Sequence, residues 1–273
     1  MKPEKKGEYN LEEEVILLLQ SSKMTVCLEG IDDKKVFHSI LLHKSLDSKI
    51  ICRFFGEGGR NILLAVYDLY KQQTKKARNP ILFFADQDTW VFTGIPEKYG
   101  EVNFTKGYSI ENDLFEDGQI SISQLLYPAE KVRLESLIDQ ISDWFAKEIQ
   151  LILEGEAEKA KIDVSFLNPT ILAPEASELH ETYKVSPSTD EEIELSKQIK
   201  QNYRQFLRGK FLFELLQRIS LDRGHKENLP LPAESHLFST CIATGLGNDS
   251  SNSTRIAQTL QNTLNSTPPN NLA

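Results

Sequence analysis

The sequence predicts an α/β protein in which a mostly parallel sheet is flanked by helices and followed by a helical lobe. In the first 120 residues, short apolar runs without helical spacing alternate with segments whose apolar residues recur every three or four positions. From about residue 122 onward only the helical spacing continues, as in 131–153 and 199–221. Strands that alternate with helices pair in parallel through right-handed crossovers.

The predicted elements form a series of strand–helix units. A helix over 11–20 has acids in its first turn and the apolar run Val15–Leu19, so we expect it to pack on the sheet edge. The apolar runs between turn-forming residues predict four strands, the last of them short. The expected strands are Met24–Leu28, Ile50–Phe55, Ile81–Ala85 and one near Val102–Phe104.

Each of the first two crossover helices has a predicted core face. Asp32 or Asp33 is expected to open the first helix as its cap. The second follows the glycine-rich turn 56–59, which resembles a phosphate-binding loop but lacks the Lys-Ser/Thr of a P-loop, so a tight strand-to-helix turn is favoured. The expected core positions are Val36, Phe37, Ile40 and Leu41, then Ile62, Leu63, Val66, Leu69 and Tyr70.

Four regions follow from these patterns. They are an N-terminal helix in 1–20, an α/β core in 21–120, a helical lobe in 121–246 and a polar tail in 247–273. The acidic stretch 174–194 predicts a loop or a poorly ordered connector. The tail is rich in Asn, Ser and Thr, so we expect it to be largely disordered apart from a short helix near Thr254–Leu264.

The composition is that of a soluble globular protein with at least one sizeable core. The chain has 273 residues, of which 40% are hydrophobic, and a formal net charge of -9. This charge argues against a broad basic surface that wraps nucleic acid, although a local basic groove is compatible with it. The charged N-terminus and the shortness of the apolar runs argue against secretion and membrane spanning.

The cysteines favour a reducing, cytoplasmic location. Cys27, Cys52 and Cys241 are odd in number and widely spaced, and two of them fall in predicted strands. This pattern supports neither a disulfide framework nor a Cys-x-x-Cys metal site.

Acidic clusters follow two of the predicted strands. Glu29-Gly30-Ile31-Asp32-Asp33 comes after the first strand, and Asp86-Gln87-Asp88 comes after the third. Because the carboxyl ends of parallel strands form one edge of a sheet, these acids can meet in one cleft. Two carboxylates roughly 4 Å apart repel by about 4 kcal/mol at an effective dielectric near 20, so a converged cluster should hold a cation or a proton. Oxygen ligands favour Mg or Mn over zinc.

The two clusters resemble the signature of the Toprim superfamily, in which a glutamate motif precedes a DxD motif. Glu29-Gly30 with Asp33, the glycine-rich 55–60, Asp86-Gln87-Asp88 and 109–115 look like the Toprim-like nuclease branch of anti-phage defence. That branch includes the nuclease subunit of the PARIS system and is related more distantly to the OLD-family nucleases. By these motifs the resemblance covers roughly residues 20 to 220, although each motif is short.

The resemblance implies a function and a set of site residues. Glu29, Asp86 and Asp88 would bind Mg (or Mn), with Glu29 alternatively a general acid or base, and Glu111 would be a further ligand or orienting acid. The chemistry implied is metal-dependent cleavage of phosphodiester bonds in DNA, RNA or tRNA. The resemblance also implies a toxin-like effector of a prokaryotic anti-phage system, controlled by an ABC-type ATPase partner. A homodimer is a further expectation, from the apolar surface of the helical lobe.

Structural roles compete with these assignments. An isolated DxD after a strand most often forms a turn, Asp33 is expected to cap the next helix in either case, and Glu111 can simply favour a helix start. A phosphate-backbone contact is a further hypothesis for Arg204 and for Arg208 or Lys210, but we favour a solvated helix face slightly.

Other functions fit the motifs less well. An EF-hand fails because Val91 replaces its glycine, and a dehalogenase-like phosphatase leaves Glu29 unexplained. A glycosyltransferase could use DxD, but it has no other support in the sequence. The main alternative to a nuclease is a non-catalytic Toprim-like sensor or assembly subunit.

Overall fold

The computed structural model describes residues 10–162, 164, 179–227 and 234–266. Its strands are β1 (Met24–Cys27), β2 (Ile50–Arg53), β3 (Ile81–Ala85) and β4 (Asn103–Phe104). Its helices are α1 (Leu11–Leu19), α2 (Ile31–His43), α3 (Arg60–Lys71), α4 (Trp90–Thr93), α5 (Ile110–Asp117), α6 (Gln119–Leu125), α7 (Pro128–Leu153), α8 (Asp190–Gln201), α9 (Tyr203–Phe206), α10 (Gly209–Glu227), α11 (Glu234–Leu246) and α12 (Asn252–Asn265).

In the described residues the strands form one parallel sheet of four, in the order β2-β1-β3-β4. The α/β class and the parallel pairing are therefore confirmed. The strands β1 and β2 end one and two residues before their predicted ends. A backbone hydrogen bond of 2.8 Å from Leu28 to Arg53 continues their pairing one step beyond the ladder.

Contacts divide the chain into two compact units at positions that differ from the expected region boundaries. The first unit comprises 1–86, 96–104 and 255–273, and the second comprises 87–95 and 105–254. Residues 105–120, expected in the α/β core, belong to the second unit because α5 packs against α9, α10 and α11.

Helices cover both faces of the sheet in the first unit. Neighbouring strand residues point to opposite faces, so Phe83 and Phe84 mark the two sides. Tyr67 of α3 meets Phe83 at a ring-centroid distance of 5.2 Å, whereas Phe37 of α2 meets Phe84 at 4.9 Å. The helix α1 packs against α3, and its expected packing on the sheet edge stays a prediction. The core of this unit therefore lies on both sides of β3.

The predicted core of α2 is confirmed, and that of α3 is corrected. All four expected positions of α2 are buried. In α3, Leu63 and Val66 are buried as expected, but the other buried positions are Leu64 and Tyr67. The apolar face of α3 is rotated toward Tyr67 because its ring packs on both Phe83 and Tyr99.

The second unit contains the predicted helical lobe. Its long helix α7 packs against α8 and α10. Aromatic side chains fill the core, with ring centroids 5.8 Å apart for Phe145 and Phe211 and 5.9 Å apart for Trp144 and Phe211. The helical spacing predicted over 199–221 is divided among α8, α9 and α10, because the backbone leaves helical geometry at Asn202 and again at Leu207.

Part of the expected connector 174–194 is helical. The helix α8 begins at Asp190, and the Thr189 hydroxyl accepts the Glu192 amide at 3.1 Å. The Glu192 carboxylate in turn accepts the Ser188 amide at 2.6 Å, and this hydrogen bond lowers the pKa of Glu192. The acids that suggested disorder therefore stabilise a helix N-terminus. Residues 174–178 of this expectation lie outside the described residues.

The tail expected to be largely disordered contains α12. The predicted short helix near Thr254–Leu264 is confirmed and extends by two residues at its N-terminus and one at its C-terminus. Its first residues are held in the second unit, where the Asp117 carboxylate accepts the amides of Asn252 and Ser253 at 2.8 and 2.7 Å. The expectation of disorder excepted this helix, and 267–273 lie outside the described residues.

Within the same described residues, no helix combines the length and the apolar character needed to cross a membrane.

Candidate functional site

The structure brings Glu29 and Asp86 together at the carboxyl edge of the sheet. The strands β1 and β3 are parallel neighbours, so their ends meet at this edge. Glu29 follows β1 by two residues, and Asp86 follows β3 directly. The Asp86 amide donates a hydrogen bond of 2.8 Å to Glu29 Oε1. Both residues are half-buried. The contact brings the Glu29 carboxylate to the backbone of Asp86, and the convergence of the two carboxylates stays a prediction.

The glycine-rich turn after β2 fixes the backbone of Glu29. The Gly59 amide donates to the Glu29 carbonyl at 2.8 Å. Gly58 has φ +89°, and a Cβ at this position would lie 2.6 Å from the same carbonyl oxygen. Gly58 therefore meets both conditions that favour glycine, a positive φ and a close backbone approach. The favoured interpretation of 56–59 as a strand-to-helix turn agrees with this geometry.

Two further acids of the first cluster have local structural roles. The Asp33 carboxylate accepts the Gly30 amide at 2.9 Å and thereby caps α2, as predicted. The N-cap itself is Gly30, so the expectation that Asp32 or Asp33 opens the helix is wrong. Asp32 forms an exposed ion pair of 2.7 Å with Lys35. Glu29 is thus the acid of this cluster that is directed to β3.

Asp88 belongs to the second unit, where its backbone is held in an uncommon conformation. Its φ is 47°, a left-handed conformation that Asp tolerates better than most residues. The Asp88 amide donates to the Tyr108 carbonyl at 2.7 Å. The preceding Gln87 donates from its side chain to the Thr105 carbonyl at 2.6 Å. These hydrogen bonds define the backbone of the DxD motif in the second unit.

The segment 109–113 contains two residues whose importance the sequence did not reveal. Asn112 is 1% exposed and donates from its amide nitrogen to the carbonyls of Arg204 and Leu207, each at 2.7 Å. Its oxygen accepts the Ser109 amide at 3.0 Å. The segment carried two sequence signals, the resemblance of 109–115 to a family motif, which assigned no role to Asn112, and the Ser109–Asn112 spacing, which is that of a capping box. Asn112 therefore holds α9 and the residue that follows it, between α8 and α10.

Asp113 is the second such residue. It is 2% exposed, and its carboxylate accepts the amides of Lys106 and Gly107, both at 3.0 Å. Glu111, expected as a catalytic acid, lies in the first turn of α5 and is half-buried. Gly209 approaches it so closely that a Cβ there would lie 2.8 Å from Glu111 Cβ.

The predicted basic residues make contacts within the second unit. Arg204 donates to Gln119 Oε1 at 2.8 Å, and its guanidinium lies 5.4 Å from the Tyr203 ring centroid. Arg208 donates to the Ile162 carbonyl at 2.7 Å. Lys210 is exposed. A phosphate contact by these residues stays a prediction.

The cysteines are not arranged for nucleophilic or metal chemistry. All three are free thiols, and Cys27 and Cys241 are buried. Burial raises the pKa of Cys52 to about 11 and that of Cys241 to about 12, and it also raises the pKa of Cys27. They are therefore protonated at neutral pH, and a thiol is a poor nucleophile and metal ligand in that form.

Within the part of the chain that the structure describes, no group of three or more His, Cys, Asp or Glu side chains is arranged to hold a metal ion. The Glu29 carboxylate, which the Asp86 backbone amide contacts, and the Asp86 carboxylate are of the oxygen type that Mg²⁺ prefers. Their chemistry fits the predicted metal, and a third preformed protein ligand is not seen among the described residues.

Searches of protein-family models and of curated proteins find no match to this chain.

Proposed function

We propose that this protein is a Mg-dependent (or Mn-dependent) nuclease of the Toprim-like type. The observation that supports the proposal best is the hydrogen bond between the Asp86 amide and the Glu29 carboxylate across two parallel strand ends. The resemblance depends on the order of the two acidic motifs along the chain. The hydrogen bond adds that the first acids of these two motifs, Glu29 and Asp86, lie close together.

The residues of the first unit suggest how such a site would operate. Glu29 and Asp86 would hold the cation, and Asp88 and Glu111 enter the proposal through the sequence motif alone. A bound divalent cation polarises a phosphate oxygen and activates water. Glu29 is held at its carbonyl by Gly59 and at its carboxylate by the Asp86 amide, so little reorganisation is needed to present its charge.

The substrate and the partners in this proposal rest on the resemblance. The substrate is the phosphodiester backbone of DNA, RNA or tRNA, because an acidic metal site needs no base contacts to cut. With a net charge of -9, the chain would contact phosphates through local basic residues, for which Arg208 and Lys210 are proposed. The proposed role is that of an anti-phage effector released by an ABC-type ATPase partner. Recovery of no ATPase in a pull-down from the native host would count against that partner.

The experiment that tests the activity is cleavage of a mixed DNA and RNA pool with Mg²⁺ or Mn²⁺. Glu29→Gln and Asp86→Ala should each abolish metal-dependent cutting. Asp32→Asn is the matched control, since it removes an exposed acid from the same segment and should keep full activity. Equal cleavage by Asp86→Ala would remove that residue from the mechanism.

A non-catalytic Toprim-like sensor or assembly subunit is the second candidate. It is favoured by the finding that the described residues contain no preformed group of three metal-binding side chains. Titration with Mn²⁺ followed by electron paramagnetic resonance distinguishes the candidates without an activity assay. The nuclease proposal expects binding that Glu29→Gln weakens at least tenfold. Absence of specific Mn²⁺ binding by the unmodified chain would favour the sensor.

A further inference from the structure

The second unit contains a cavity of about 170 Å³ among α5, α6, α7 and α9. Its apolar walls come from side chains that are each less than 9% exposed, so they are fixed by packing. These side chains are Phe115, Ile122, Leu126, Leu134 and Ile138. A cavity of about 150 Å³ with similar walls is known to hold one benzene molecule. The space therefore accommodates a single six-membered ring or a branched chain of similar size.

Charged side chains also line this cavity. Arg204 lies over the Tyr203 ring and donates to Gln119, which positions its guanidinium. Lys131 and Glu135 are exposed lining residues, one turn apart on α7. Two cations against one carboxylate leave a net positive charge around the apolar space. A ligand with one negative charge matches this arrangement better than a cation or a dianion.

We propose that this cavity binds a small monocarboxylate whose apolar part is one ring or a branched chain of about six carbons. The apolar part fills the space between the helices, and the carboxylate faces Lys131 and Arg204. Ligand sites commonly combine such apolar walls with a few placed polar groups. The proposal does not depend on nuclease activity.

The test titrates the full chain with phenylacetate and benzoate, and with benzylamine and benzyl alcohol as charge controls. Binding is followed by calorimetry and by methyl NMR signals of Ile122 and Ile138. The carboxylates should bind and shift both isoleucine signals. Benzylamine should bind at least about tenfold more weakly, the difference expected for a lost charge-assisted hydrogen bond. Failure of both carboxylates to bind, or equal binding of benzylamine, would overturn the proposal.

Matched variants locate the binding. Ser123 is exposed and lines the cavity, so Ser123→Phe should obstruct it and abolish phenylacetate binding without disturbing the core. Its exposed neighbour Gln124 is outside the lining, and Gln124→Phe should leave the affinity unchanged. Lys131→Gln should weaken phenylacetate about tenfold and leave benzyl alcohol unaffected. Unchanged phenylacetate binding in Ser123→Phe would place the ligand elsewhere and refute this site.

Discussion

Glu29 in the first unit and Asp113 in the second show how differently the fold uses two acids that accept backbone amides. Asp113 is 2% exposed and accepts the amides of Lys106 and Gly107, so its carboxylate is enclosed and holds a turn. Glu29 accepts the Asp86 amide but is half-buried at the carboxyl edge of the sheet. An enclosed acid cannot reach a substrate, whereas an acid at a sheet edge can. Exposure, more than amide contact, separates the structural acid from the candidate for chemistry.

The largest expected effect at neutral pH is the loss of the enclosed acid. Asp113→Ala leaves the amides of Lys106 and Gly107 without their acceptor and should lower the free energy of unfolding by about 3 kcal/mol. Urea denaturation followed by circular dichroism measures the change. Asp32→Ala, at an exposed ion pair, is the control and should change it by less than about 1 kcal/mol. Equal effects of the two substitutions would show that enclosure does not distinguish these acids.

The second effect concerns the turn that supports Glu29. Gly58→Ala would place a Cβ 2.6 Å from the Glu29 carbonyl oxygen at φ +89° and should destabilise the protein by about 2 kcal/mol or more. Gly59 has a similar φ of +99° but no atom within 4 Å of its would-be Cβ, so Gly59→Ala reports the conformational strain alone. The difference between their melting temperatures isolates the close approach. Identical melting temperatures of Gly58→Ala and Gly59→Ala would mean that the close approach of Gly58 to the Glu29 carbonyl does not contribute to stability.

The sequence predicted the first unit better than the second, for a physical reason. Strand order along the chain and apolar periodicity are local signals, and they were enough to place Glu29 and Asp86 at adjacent strand ends. The break between α8 and α10 depends on Asn112, which bonds to carbonyls more than 90 residues away in sequence. Likewise the N-terminus of α12 is held by a hydrogen bond to Asp117, which lies in α5 and is distant in sequence. Long-range polar contacts of this kind leave no periodic pattern.

Thiols with a raised pKa offer a further comparison of the units at alkaline pH. Burial raises the pKa of Cys52 to about 11 in the first unit and that of Cys241 to about 12 in the second, from an ordinary value of 9.0. Each protonated thiol therefore stabilises the folded protein fully below pH 9, and this contribution is lost as pH rises through the folded pKa.

The expected slope is a loss of about 1.4 kcal/mol per pH unit for each thiol above pH 9. Cys52→Ala should remove the part of this slope that comes from Cys52, which extends to about pH 11. Cys241→Ala should remove the part that comes from Cys241, which extends to about pH 12. Urea denaturation at a series of pH values, before and after each substitution, measures both slopes. Parallel stability curves for a variant and the unmodified chain would show that its thiol is not shifted.

The smallest expected effect lies at Glu29 itself. If Glu29 helps to hold Mg²⁺, a saturating metal concentration near ten times the dissociation constant should stabilise the chain by about 1.4 kcal/mol. Glu29→Gln keeps an oxygen that accepts the Asp86 amide but loses the charge, so without metal its melting temperature should stay close to that of the unmodified chain. Adding Mg²⁺ should then raise the melting temperature of the unmodified chain and of Asp32→Asn, but not that of Glu29→Gln. A metal-induced rise of the same size in Glu29→Gln would show that Glu29 does not bind the metal and is a structural acid like Asp113. The two acids would then differ only in their exposure.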